Sequence, residues 1–303
     1  MPDRPSRKGV IVAYKTTAVD LPGIEDQIQK EQRKFNYRDF PWWFPAMVLI
    51  AIITTYTIIT RENYTEAFNF IKVGLGVTVQ TTFWAFLLAL LFGLLAGLAR
   101  ISHNVVLKNL ATLYVELVRG IPMLVLIFFI ALVGVPALVN GMNALGNWIT
   151  SIGLQAVATP FLLVQNKDVS MNLRAIIALS VTYGAFLAEI FRAGIQSIGK
   201  GQMEAARSQG MSYPQAMRFV ILPQAIRNVL PALGNDFVSM LKDSSLVSVL
   251  AVRDITQVAR LYAGHSFRYQ EAYITLAVMY LTMTVALSLL VKLIERRIRK
   301  DEH

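Results

Sequence analysis

Thr82-Phe83-Trp84-Ala85-Phe86-Leu87-Leu88-Ala89-Leu90-Leu91-Phe92-Gly93-Leu94-Leu95-Ala96-Gly97-Leu98 contains no charged residue. Followed back to Phe70, the apolar run contains only one charge, Lys72. It exceeds the ~20 residues that a helix needs to cross a bilayer, so it predicts a spanning helix that tilts or projects. The whole chain agrees with this stretch. Apolar residues make up 55% of the 303, charged residues 16%, and the mean hydropathy is +0.50. A soluble domain carries about 25% charged residues. A single core stops growing well before it could absorb so much apolar surface, so lipid must solvate much of it. Disordered, collagen-like and disulfide-scaffold chains are excluded by the same composition. The absence of cysteine excludes thiol chemistry and Cys-based metal sites.

Reading outward from 70–98, further apolar runs lie at 43–60, 105–135, 171–195 and 272–294. The run at 105–135 is interrupted by Arg119-Gly120-Ile121-Pro122. A sixth, 229–250, contains Asp236, Lys242 and Asp243, and needs a bundle or a water-filled cavity around it. Placing the N-terminus inside and counting all six as spans puts 20 of the 29 Lys and Arg inside, five outside and four within spans. That asymmetry is the positive-inside signature, and it weakens if 229–250 is dropped. The expectation is an all-α polytopic membrane protein with six transmembrane helices and both termini cytoplasmic. The charge of +10 is then a topology signal and calls for no nucleic-acid partner. Residues 1–41 lack the pattern of a signal peptide. They read as a cytoplasmic tail with an interfacial helix ending at Pro41-Trp42-Trp43. The outer segment 136–170 is expected to carry a short surface helix at 138–152.

Several motifs have a bland reading. Gly194-Ile195-Gln196-Ser197-Ile198-Gly199-Lys200 resembles a phosphate loop, but Gly201 stands where Ser or Thr must bind magnesium. His103, His265 and His303 form no catalytic or metal set, so no catalytic, cofactor or metal residue is assigned. Asn63-Tyr64-Thr65 is a chance glycosylation sequon. Gly93 and Gly97 form a small-residue face that serves either packing within the chain or a subunit contact. Glu116 and Arg119, three apart on a helix, form an intramembrane polar pair that either braces the bundle or lines a polar path. Asp236 and Asp243 share a helix face, with Lys242 expected to pair with Asp243.

The informative connector is Gly199-Lys200-Gly201-Gln202-Met203-Glu204-Ala205-Ala206-Arg207-Ser208-Gln209-Gly210-Met211-Ser212-Tyr213-Pro214-Gln215-Ala216-Met217-Arg218-Phe219-Val220-Ile221-Leu222-Pro223. It predicts two short helices with a corner. Gly210 supplies a left-handed C-cap, Ser212 and Gln215 a capping box, and Pro214 occupies a permitted first turn. Pro223 is expected to stop the second helix. Glu204 is expected at the start of the first, where it complements the positive end. A stiff elbow bearing Ala205 and Ala206 suits docking into a groove of another protein.

Glu204-Ala205-Ala206, then Gly210, then Val220-Ile221-Leu222-Pro223 resembles the EAA loop of bacterial ABC importer permeases, with Val220 where the family has Ile. Three other segments are similar to its polar amino acid branch, the histidine/glutamine type. They are Val115-Glu116-Leu117-Val118-Arg119-Gly120-Ile121-Pro122-Met123-Leu124-Val125, Tyr183-Gly184-Ala185-Phe186-Leu187-Ala188-Glu189-Ile190-Phe191-Arg192-Ala193-Gly194 and Leu241-Lys242-Asp243-Ser244-Ser245-Leu246-Val247-Ser248. The resemblance implies a five-helix type I importer core at 70–297, with its coupling loop at 196–225. An extra N-terminal span and outer loop would occupy 42–69, and a cytoplasmic tail 298–303. It also implies cytoplasmic ATPase subunits that dock at Glu204, Ala205, Ala206, Gly210, Leu222 and Pro223 and hold the ATP and magnesium. A second permease subunit, identical or paralogous, and an external amino acid-binding protein complete the implied machine in the inner membrane. The alternatives are an ABC permease for another small solute, such as an osmolyte or methionine, and a passive channel.

Overall fold

The computed structural model describes residues 42–300, and every regular element among them is a helix. The tail expected at 1–41, with its interfacial helix, and the last three residues lie outside the described residues. The chain divides into two compact units, 1–52 and 53–303. The described part of the first is the opening of helix α1, Trp43–Thr60. All that follows concerns the second.

The stretch read as an outer loop before residue 70 is helical instead. Arg61 separates α1 from α2, Glu62–Ile71, which passes through a 3-10 turn, Lys72–Gly74, into α3, Leu75–Arg100. Glu62 stands at the positive end of α2, and its apolar face buries Ala67 and Ile71, which is reason enough for a helix. α4, Val105–Gly120, starts at the Asn104 cap and ends where Ile121 turns extended before Pro122. α5, Met123–Phe129, continues through a π turn, Ile130–Gly134, into α6, Val135–Ser151. The expected surface helix at 138–152 is therefore the far end of one run of 29 residues, Met123–Ser151. After α7, Gln155–Leu162, come α8, Met171–Gln196, and the elbow helices α9, Lys200–Ser208, and α10, Tyr213–Ala216. A second π turn, Met217–Ile221, leads into α11, Leu222–Asp243, and a 3-10 segment, Ser244–Leu250. α12, Ile255–Ser266, and α13, Tyr269–Lys300, complete the chain.

Among the described residues, four runs are long and apolar enough to cross a membrane: Glu62–Arg100, Met123–Ser151, Met171–Gln196 and Tyr269–Arg297. Leu49–Thr60 is a shorter apolar helix.

The core forms where α3 and α8 lie side by side. They run parallel, because Thr81 donates to Asn172 near their starts (2.6 Å) while a Cβ on Gly97 would touch Phe191 near their ends. At Gly93 such a Cβ would stand 2.6 Å from the Leu187 Cβ and 3.1 Å from its carbonyl carbon. The Gly93–Gly97 face thus packs within the chain, deciding between its two readings. Between lipid-facing helices, this close van der Waals approach is the main source of association energy.

Both π turns precede a proline by two residues, Pro136 and Pro223. A proline in an α-helix has no N–H to give and presses on the carbonyl four residues back. The wide turn relieves that pressure, so neither proline ends its helix, and Pro223 does not stop the second helix of the elbow. One carbonyl left over finds another donor: Ala131, five residues before Pro136, accepts from the buried Arg174 Nη1 at 3.2 Å. Just past the second turn, the Gln224 side chain donates to the Val220 carbonyl at 2.8 Å. Arg174 also donates to the carbonyls of Val169 (3.1 Å) and Asn166 (2.7 Å), so a cation in an apolar core is hydrogen-bonded without a carboxylate.

At the other end of α3, Asp254 is fully buried and caps α12 by accepting from Thr256 (3.2 Å) and Gln257 (2.9 Å). Burial pushes its carboxyl up, and those N–H groups pull it back.

Candidate functional site

The elbow is built by two caps back to back. α9 closes with a Schellman motif in which Gly210 N–H donates to the Arg207 carbonyl (3.0 Å) and Met211 N–H to that of Ala206 (3.2 Å). Gly210 holds φ +85°, a conformation that costs any L side chain about 1–2 kcal/mol. Ser212 then opens α10: its hydroxyl accepts from Gln215 N–H while the Gln215 side chain accepts from Ser212 N–H at 2.8 Å. Only Gly210 and Met211 lie between the two caps, so the corner has almost no freedom. Gln224 donates to Gln202 (3.4 Å), tying α11 to α9. Ile195, Ile221 and Ala225, packed with Met203 and Met217, seat the elbow on the ends of α3 and α8.

The residues picked from the sequence do not share one face. Glu204, Ala205, Gly210 and Pro223 are exposed, Leu222 is half-buried, and Ala206 is 5% exposed because it packs inward. Ala206 therefore props the elbow and cannot form its outer surface. Glu204 is the fifth residue of α9, outside the first turn, so the expected interaction with the helix start does not arise. Phe219 is 64% exposed beneath the Arg218 guanidinium, giving the elbow an apolar rim that the sequence reading passed over.

Next to the elbow, a chain of charges joins α3, α4 and α8. Arg100 donates to Glu189 at 2.6 Å, and Glu189 also pairs with Arg192, which in turn donates to Gln196 (2.6 Å). Glu116 joins through Arg100 at 3.5 Å, with its side chain 65% exposed. The expected Glu116–Arg119 pair does not form. Arg119, on the last turn of α4, lies over the Phe186 ring at 5.8 Å, while Arg100 offers Glu116 a cation already fixed on a neighbouring helix. The i,i+3 rule that suggested Glu116 and Arg119 applies equally to Glu189 and Arg192, and there it succeeds.

Inside the bundle, Tyr183 donates to Asp243 at 2.6 Å, and Phe86 stacks on Phe237 at 4.5 Å. The expected Lys242–Asp243 pairing fails because adjacent helical residues diverge: Lys242 is exposed, and Asp243 turns inward to Tyr183. Asp236, half-buried, precedes Phe237 on α11. Among the described residues no cluster of His, Asp or Glu could hold a metal.

Residues 89–300 match the family described as the binding-protein-dependent transport system inner membrane component. The chain belongs to that family. It is similar to the probable amino-acid permease protein YxeN of Bacillus subtilis (strain 168), 36% identical over 239 residues, covering 79% of this chain and 96% of YxeN. It is also similar to the probable glutamine ABC transporter permease protein GlnM of the same organism, 39% identical over 209 residues, covering 69% and 84%. Among solved structures, an amino acid ABC transporter crystallised with histidines matches at TM-score 0.61 and 37% identity, over 79% of this chain and 98% of that one. The chain is therefore a membrane-embedded transporter subunit with the type I ABC permease fold, and not an enzyme. In such systems nucleotide is handled by a separate ATPase subunit.

Proposed function

We propose that this chain is the permease subunit of an ATP-driven importer of polar amino acids in a bacterial inner membrane, and that its elbow receives the stroke of the ATPase. The amino acid specificity rests on the relatives, whose names specify amino acids and glutamine. The coupling role rests on the doubly capped corner at Gly210–Met211, which fixes the exposed Glu204–Ala205 surface relative to α11. ATP would favour one arrangement of the ATPase pair, and a rigid elbow carries that preference into the bundle, biasing a two-state element. A floppy loop would absorb the motion. A second permease subunit and an external binding protein belong to the same reading. So do six spans with both termini cytoplasmic, and a substrate path bordered by the polar span at 229–250 and the break at Gly120-Ile121-Pro122.

The test is a reconstituted complex of permease, ATPase and binding protein. Gly210→Val strains the left-handed corner by roughly 1 kcal/mol or more. Glu204→Lys reverses an exposed charge without touching the core. Both variants should insert normally, yet lose binding-protein-stimulated ATP hydrolysis and amino acid uptake, and the ATPase should detach more readily in detergent. Coupled uptake at the parental level from both would reduce the elbow to a connector.

A further inference from the structure

A pocket of about 390 Å³ opens where the elbow meets the corner between α3 and α4. Its walls come from Arg100 to His103, Lys108, the end of α8, the start of α9, and Tyr213 and Met217 of the elbow. No Asp or Glu lines it. Arg100 is already occupied by Glu189 and Glu116, but Lys108 and Lys200 are exposed and have no carboxylate partner among the described residues. The Ser102 hydroxyl accepts from Asn104 N–H at 3.1 Å and keeps its own proton to donate.

α9 adds a second, independent signal. Its N-cap, Gly199, has no side chain to accept the free N–H groups, and its first turn contains no acidic residue. Its first residue is a lysine, the wrong sign for the positive end of a helix dipole. The uncapped start of α9, a cation at the wrong end of its dipole and a second cation from α4 therefore line one hollow. An anion seated there would relieve all three at once.

We infer that this pocket binds a phosphate group, supplied by the headgroup of an anionic phospholipid. The position argues for the lipid source. Arg100 and Gln196 are the last residues of two runs long and apolar enough to span, Glu62–Arg100 and Met171–Gln196, so the pocket opens where both change from apolar to polar, as a headgroup region requires. Basic pockets at that depth attract anionic lipids, each lysine contributing by charge that short-range screening does not remove. Because Lys200, Tyr213 and Met217 belong to the elbow while Ser102 and His103 belong to the bundle, the bound phosphate bridges the two. The edge contact of His103 on Tyr213, centroids 5.8 Å apart, closes the same seam.

The test uses full-length delipidated permease in neutral detergent, titrated with dioleoylphosphatidylglycerol, dioleoylphosphatidylcholine or inorganic phosphate and followed by native mass spectrometry. Phosphatidylglycerol should bind in preference to phosphatidylcholine. Lys108→Gln and Lys200→Gln should each weaken it about fivefold, and the double variant about 25-fold. Lys167→Gln, an exposed lysine on the loop before α8, is the control and should leave binding unchanged. All three lysines are exposed, so the variants keep the fold, which monodisperse elution verifies. Inorganic phosphate that binds at the same lysines as tightly as the lipid assigns the pocket to a soluble phosphate. Equal losses from Lys167→Gln and the pocket variants, or no saturable binding of either probe, overturn the site.

Discussion

Glu189 and Glu116 both pair with Arg100, but they differ in how much water surrounds them. The Glu189 pair is 29% and 13% exposed by side chain, whereas Glu116 is 65% exposed and a longer 3.5 Å away. Exposed pairs contribute about 0–1 kcal/mol, while breaking a buried one costs about 3–5 kcal/mol. Glu189→Gln leaves Arg100 and Arg192 without their shared carboxylate and should lower unfolding stability in detergent by about 2–3 kcal/mol. Glu116→Gln should lower it by less than about 1 kcal/mol. Equal losses in a denaturant titration would show that the charges act as one cluster rather than through Glu189. The sequence revealed these residue types but not their partners. Which of Arg100 and Arg119 approaches Glu116 depends on how α3 and α4 pack, and no spacing along one helix encodes that.

At the scale of the element, glycine and proline govern the outcome. Gly93→Ala puts a methyl group 2.6 Å from the Leu187 Cβ and should destabilise by about 1–3 kcal/mol, since both atoms are fixed to backbones. Gly76→Ala, in the same helix with nothing within 4 Å, should instead stabilise by about 0.5–1 kcal/mol. Opposite signs in thermal unfolding verify the close α3–α8 contact; the same sign in both would contradict it. Pro223 is the complementary case. In an α-helix interior its replacement by alanine would recover about 3 kcal/mol, but the π turn has already relieved the clash, so Pro223→Ala should change stability by less than about 1 kcal/mol. A gain of several kcal/mol would mean that the turn provides no relief.

Helix positions followed from the apolar runs because period and length are local properties. Caps were equally legible: Gly210, Ser212 and Gln215 take up the roles their spacing implies. The two π turns were not legible, because a wide turn is chosen by what receives the freed carbonyl. For Ala131 that is Arg174, 43 residues away. Reading Pro223 as a stop came from treating proline as purely local, and reading 138–152 as a separate surface helix came from the polar, glycine-containing composition of that stretch.

For the whole molecule, the proposed orientation rests on charge. Arg100, Lys108, Arg192, Lys200, Arg207, Arg218 and Arg227 lie at or near the elbow, where α3 and α8 both end, and the six-span proposal puts that end in the cytoplasm. Reporter fusions after Lys200 and at the C-terminus should both report the cytoplasm, and fusions near Gln165 and Arg260 the exterior. A cytoplasmic signal at Arg260 would remove 229–250 as a span and leave the protein with five. Arg174 bears on the order in which this molecule is made. Its three acceptors, the carbonyls of Ala131, Asn166 and Val169, all precede it in the chain. Synthesis runs from the N-terminus, so when the ribosome delivers this guanidinium its ligands have already emerged. The donors of this buried guanidinium can be satisfied by hydrogen bonding before α11 to α13 have been translated, and the translocon need not hold an unsatisfied arginine while it waits for the rest of the protein.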